Sequence, residues 1–275
     1  MPIKKRCPFC EKNSPEIHFT KEHILRNKFN KLLPNTPNKT VWKNILNDKS
    51  GLQITNKTLA IPESPFDATV NSICNECNEG WMNSLENEVE VALTNIIFDK
   101  DKYLSSKASI SLATWGAKTA AVLALKHRDH AVAIPPEHYA YIKNNILPPP
   151  HSHIWVARTD YNINTMSRYG RHSYGEPGNG ISFHLTTINI GHFAVFILGA
   201  RNQEIEMALF SELAARDSIG LKRLWPAEAI ASQEPIGGFY RHNQVMLLGS
   251  IGSQNNDLLD ADDKLLGLFN TLRGC

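Results

Sequence analysis

Four of the five cysteines are spaced to hold a metal. Cys7 and Cys10 form one C-x-x-C pair and Cys74 and Cys77 form another, with residues 11–73 between them. Each pair offers two thiolates from one tight turn, and two pairs satisfy the tetrahedral preference of zinc. Redox-active or unpaired thiols are the alternative reading of such pairs. A site closed by four sulfurs leaves no coordination position open, so it staples a fold rather than catalysing a reaction. Two other features lie close to the cysteines. Glu22-His23-Ile24 falls between the pairs, and Asn78 follows Cys77 directly. Taken singly each has a plain use: a surface carboxylate, a half-buried imidazole, a helix cap. Cys275 stands apart at the C-terminus and reads as a free thiol.

The charge distribution points at the same end of the chain. The net charge is +2, but residues 1–60 hold 12 Lys and Arg against four Asp and Glu. A solvated charged face is the ordinary meaning of such a bias. Beside a zinc-type motif it reads better as a surface facing phosphates, with Arg26, Lys28, Lys31 and Lys43 as the candidate nucleic-acid contacts.

In order and combination these features resemble the HNH (ββα-metal) endonuclease superfamily. The family pattern is a C-x-x-C pair, an acidic residue and His followed by an aliphatic one, then a second C-x-x-C with Asn or His opening a helix. Here that is Cys7/Cys10, Glu22-His23-Ile24 and Cys74/Cys77-Asn78, within about residues 5–95. The closing Cys-Asn looks like the phage Holliday-junction resolvases of that superfamily. The resemblance implies metal-dependent hydrolysis of DNA phosphodiester bonds. It implies His23 as general base, Glu22 and Asn78 as oxygen ligands of a catalytic Mg²⁺ or Mn²⁺, and a structural Zn²⁺ on the cysteines. Those residue types suit the reaction, because a neutral imidazole accepts a proton near pH 7 and a hard cation on oxygen ligands offsets charge on the phosphate. It further implies a place in bacterial restriction or anti-phage defence, with DNA, a second copy of the chain or a defence-system protein as partners. The chain departs from the pattern in having Glu where many relatives have Asp, and Asn where many have His. Glu79 and Glu86 are the next candidate ligands, and Asn71 or Asn56 would brace the hairpin. Two other readings stand beside this one: a zinc-stapled nucleic-acid-binding module without hydrolysis, and an activity housed in residues 105–275.

Elements must position these groups. Glu22 and His23 point to opposite faces if both lie on a regular strand, so a loop or bulge has to re-aim one of them. Residues 51–61 and 66–73 read as strands leading to Cys74. Leu85, Val89, Leu93 and Ile96 then recur at helical spacing, with Asn78 in the N-cap position. A buried helix is expected over about Ser105–Lys126, with Lys118 as a snorkelling amine. A short helix follows Pro135-Pro136. Strands are expected at His153–Ala157, Ile181–Leu185, Phe193–Leu198 and Val245–Leu248, a turn-rich loop at Tyr174–Gly180, and a last helix at Asp257–Leu272.

The expected fold is therefore α+β. A zinc-stapled ββα-metal module over 1–104 precedes a mixed, mostly antiparallel α+β domain over 105–275. At 275 residues with 42% hydrophobic and 20% charged, the chain can bury a real core and is not a disordered sequence. The basic start is followed by no apolar run, and the Ile110–Leu125 stretch carries Lys118 and is short for a membrane span. A cytoplasmic protein without a membrane partner is the expectation. His151/His153 and His127/His130 are weak pairs, better read as surface or hydrogen-bonded histidines than as a second metal site.

Overall fold

The computed structural model describes residues 5–33, 40–47, 53–126, 134–174, 181–209 and 221–227, together with 213, 216–217, 235–237 and 239–241. The fold is mixed α+β with antiparallel sheets. Strand β1 (Phe19–His23) pairs antiparallel with β4 (Thr69–Cys74), and helix α1 (Lys28–Leu32) follows β1. A separate antiparallel ribbon of β2 (Thr40–Asn47) and β3 (Gln53–Ile61) is inserted between them. After β4 the chain enters a π-helical turn, Glu76–Met82, that runs into α2 (Asn83–Ile97).

The helix does not start at Asn78. Asn75 holds the cap position with helical backbone angles, and Asn78 lies inside the first turn with its amide turned back to β1. Gly80, at φ −86° and ψ −110°, breaks the helical path between the two segments. Beyond it Leu85, Val89, Leu93, Ile96 and Ile97 are buried on one side of α2 while Glu88 stays exposed, the stripe that the 3.6-residue period requires.

Helix α3 (Ser106–Lys126) is buried almost all round. It is long and apolar enough to cross a membrane, and 83% of its apolar window is buried inside the fold. Small residues let it lie close to the sheet: a Cβ added at Gly116 would sit 3.5 Å from Ile197. Helix α4 (Pro136–Asn145) then leads to the long antiparallel pair β5 (Ser152–Tyr174) and β6 (Ile181–Ala200). Strand β7 (Lys222–Trp225) adds to the other edge of β5, after the short α5 (Gln203–Ala208), and β8 (Phe239–Tyr240) pairs with β5 in parallel.

This sheet is buried on both faces. Ile154, Val156, Val195 and Ile197 join one apolar cluster with α2 and α3. Trp155, Ala157, Ala194, Phe196 and Leu198 join a second, with Ile205 of α5, Leu209 and Leu213. Alternate residues serve opposite faces of a strand, so the unbroken apolar run Phe193–Leu198 is what a two-sided strand needs. The first cluster also takes in Cys7, Phe9, Ile24 and Ile73, so one continuous core includes residues from both sides of position 104.

Two expected strands, Ile181–Leu185 and Phe193–Leu198, are parts of one strand. Gly191 bends it rather than ending it. It sits at φ +55° among the register irregularities that separate Arg158 from Met166, and Asn189 Nδ2 bridges the bend to Thr159 Oγ1 and the Phe193 carbonyl. The expected strand Val245–Leu248, the helix Asp257–Leu272, residues 175–180 of the expected loop, His127/His130 and Cys275 lie outside the described residues.

A Cβ at Gly191 would lie 2.6 Å from the Ile97 carbonyl oxygen, on a left-handed backbone that L side chains resist. Gly191→Ala should therefore destabilise the protein by more than about 1 kcal/mol. Urea denaturation reads this directly, and an unchanged midpoint would show that the bend relaxes freely.

Candidate functional site

The two cysteine pairs come together as the spacing suggests. The Sγ atoms of Cys7, Cys10, Cys74 and Cys77 all lie within 4.8 Å of one another, and Cys10 and Cys74 are 3.5 Å apart. A tetrahedral zinc with bonds of about 2.3 Å separates its sulfurs by about 3.8 Å, so the cluster has the dimensions such an ion needs. The first pair sits in a tight turn closed by Glu11 N–H to the Cys7 carbonyl at 2.8 Å and by a bridge between Arg6 and Asn13. The second pair brackets the passage from β4 into the helix. Phe9, between the first two cysteines, packs on Trp81 at 5.4 Å and edge-on to Tyr139 of α4 at 5.2 Å. The thiols do not ionise alike: hydrogen bonding to Cys77 holds Cys7 down to about 4, while burial pushes Cys74 up to about 11. All four could ionise together only with a cation among them, because like charges this close repel.

Beside the staple, Glu22, His23, Asn78, Glu79 and Glu86 line one cleft of about 390 Å³ together with Arg26 and Lys28. A bulge precedes Glu22 and His23, which themselves pair in regular register with Val70 and Thr69, Glu22 buried and His23 half-buried. Thr20 pairs with Ile73 but Glu22 pairs with Val70, so two residues of β4, Asn71 and Ser72, oppose Lys21 alone. Asn78 is tied to this same stretch. Its Nδ2 donates to Thr20 Oγ1 at 3.0 Å and to the Lys21 carbonyl at 3.2 Å. A carbonyl can only accept, so the amide orientation is fixed and Oδ1 is the atom left for other contacts.

The floor of the cleft is an ion cluster. Lys118 of α3 is fully buried, and its Nζ donates to Glu22 Oε1 at 3.1 Å and to Glu86 Oε1 at 2.7 Å. Burial disfavours its ammonium, but Glu86 and Glu22 outweigh that and hold its pKa above the ordinary lysine value. Burial likewise pushes the Glu22 carboxyl up, against the pull of Lys118. Lys118 is thus not a snorkelling amine: its head never reaches water. A lone cation within the apolar stretch Ile110–Leu125 was the only sequence signal for it.

The expected phosphate contacts divide. Arg26 pairs with Glu90 at 2.8 Å and donates to Asn87 Oδ1 at 2.6 Å, and Lys28 pairs with the same Glu90. Hydrogen bonding to Lys28, with the nearby charge of Arg26, holds Glu90 below the usual carboxylate range. Lys31 is exposed at the end of α1. Lys43 and Asn56 lie on β2 and β3, whose side chains are outside the described residues, and Asn71 is exposed on β4. Among the described residues, the four cysteines are the only cluster of three or more His, Cys, Asp or Glu with metal-site dimensions. His151 and His153 both hydrogen-bond to Glu206, at 2.7 and 2.6 Å.

No protein-family model, curated protein or solved structure matches the chain.

Two expectations follow from this geometry. Elemental analysis should find one zinc per chain, and Cys74→Ser should lose it and unfold the N-terminal part, since structural zinc contributes on the order of 10 kcal/mol. A folded, zinc-free preparation would refute the staple. Lys118→Met fills the same space without charge and leaves Glu22 buried and unpaired. It should cost about 3–5 kcal/mol in thermal or urea unfolding, whereas loss of a snorkelling amine would cost almost nothing.

Proposed function

We propose that this protein is a zinc-stapled, metal-dependent HNH-type endonuclease that hydrolyses DNA phosphodiester bonds. The observation that carries the reading is the single cleft lined by Glu22, His23 and Asn78 beside four converging cysteines. The cleft floor supports the metal dependence. It sets two carboxylates against one ammonium, which favours a cation at that spot, while Arg26 and Lys28 of the same cleft share Glu90. The donors there are oxygens, which suit Mg²⁺ or Mn²⁺. Lys118 occupies one oxygen of Glu22 and one of Glu86, so their other oxygens and Asn78 Oδ1 are the atoms that would hold the ion. When bound, that ion supplies charge neutralisation at the scissile phosphate.

The chain's own groups do the rest. His23, half-buried at the end of β1 with a ring hydrogen-bonded to no described residue, takes the proton of the attacking water. Asn78 fixes the helix against the bulge and so holds the distance between His23 and the carboxylates. Lys118 keeps Glu22 and Glu86 side by side. By the family resemblance its role would lie in bacterial restriction or anti-phage defence, alone or with a partner protein.

One observation favours a second reading. Lys118 already occupies one oxygen of each carboxylate. A zinc-stapled nucleic-acid-binding module would keep that cluster as structure and have no use for His23 as a base.

Plasmid nicking with added Mg²⁺ or Mn²⁺ separates the two. Wild-type protein should nick, and His23→Ala should lower the rate by about 10²–10⁴-fold with DNA binding retained. Asn78→Ala should also slow cleavage, and should weaken the fold by only about 1 kcal/mol for its lost hydrogen bonds. Cleavage by His23→Ala at the wild-type rate would favour the binding module.

A further inference from the structure

Lys118 reaches the proposed site from the core helix α3, which also packs on the long sheet: Gly116, two residues before it, lies against Ile154, Val195 and Ile197. Its side chain is wholly shielded and does not line the cleft, whereas Glu22 and Glu86 do. The ammonium therefore meets the two carboxylates from the core side, and they border the cleft on the other. Nζ lies 3.1 Å from Glu22 Oε1 and 2.7 Å from Glu86 Oε1, and the two glutamate side chains are only 7% and 14% exposed. The other titratable groups of the cleft carry both signs. Glu79 lines it with His23, Arg26 and Lys28, and Arg26 and Lys28 share Glu90.

Charge decides what the buried cluster can hold. Two carboxylates and one ammonium leave one net negative charge, and Asn78 Oδ1 adds none. A divalent ion alone would turn that into one net positive charge in a place with little water to screen it. A phosphate arriving with the ion restores neutrality, and ions of the Mg²⁺ type are commonly held by one or two carboxylates plus substrate phosphate. We propose that Lys118 is a positioning residue that keeps Glu22 and Glu86 as a half-neutralised pair, so that the divalent ion loads fully only together with a DNA phosphate. The inference rests on the endonuclease reading and adds to it that ion and DNA bind cooperatively. Such coupling is reciprocal: the ion raises DNA affinity by the factor by which DNA raises affinity for the ion. In Lys118→Met the ion alone neutralises the pair, so it should bind without DNA. Every other charge of the cleft is the same in that variant, and the comparison isolates the ammonium. An ion cluster with only a structural role would lose stability on this change and leave metal affinity where it was.

The test reads Mn²⁺ binding to full-length protein by electron paramagnetic resonance, and DNA binding by anisotropy of a labelled duplex at constant ionic strength. Both are done in a His23→Ala background, which keeps the duplex intact. Without DNA, adding Lys118→Met should tighten Mn²⁺ binding at least about tenfold, the effect of a unit charge about 5 Å from a divalent ion even in water. With Lys118 in place, Mn²⁺ should tighten DNA binding at least about tenfold, and in the Lys118→Met protein by less. Equal Mn²⁺ affinity in the folded variant and its parent overturns the proposal. If Lys118→Met does not fold, the parent decides, and DNA affinity that Mn²⁺ leaves unchanged overturns it. Either failure, beside wild-type protein that nicks DNA, leaves the endonuclease reading standing. A wild-type protein that neither binds Mn²⁺ nor nicks DNA ends both.

Discussion

A buried ammonium is tolerable only where anions meet it, and Lys118 meets two. Its partners come from different elements, Glu22 from the bulged hairpin and Glu86 from α2, while Lys118 belongs to the core helix α3. Three elements are therefore pinned at one point. Moving any of them strands a charge away from water, at a cost of several kcal/mol. The proposed site sits directly on this junction, so its carboxylates are placed by the core, and His23 follows Glu22 on the same strand.

The cysteine cluster constrains the fold from the other side. It ties the turn at Cys7–Cys10 to the point where β4 becomes a helix, and Phe9 carries that tie onward to Trp81 and Tyr139. The π-helical turn fits between these constraints. Cys77 must face the staple while Asn78, the next residue, must reach back to Thr20 and Lys21. A widened turn followed by the break at Gly80 satisfies both before α2 settles into its regular stripe.

Much of this was legible in local sequence. The paired cysteines, the 3.6-residue stripe of α2 and the unbroken apolar runs of α3 and β6 follow from ligand chemistry and from the periods of helix and strand, which act over a few residues. Asn78 was misread as a cap because its spacing from the helix fits a cap equally well. The merging of two expected strands into β6 was hidden, because a glycine marks a bend and a break alike. Lys118 and Glu90 were misplaced or overlooked for a different reason. The first looked like a surface amine in an apolar helix, and the second was only a polar residue beside a stripe. Their roles depend on which elements cross in space, over separations of about a hundred residues for Lys118 and Glu22. Sequence by itself determined the paired cysteines, the apolar stripe of α2 and the apolar runs of α3 and β6. Only the tertiary structure decided which charges are cancelled and which remain to act, because Coulomb energy depends on distance through space and on burial, neither of which a chain position encodes.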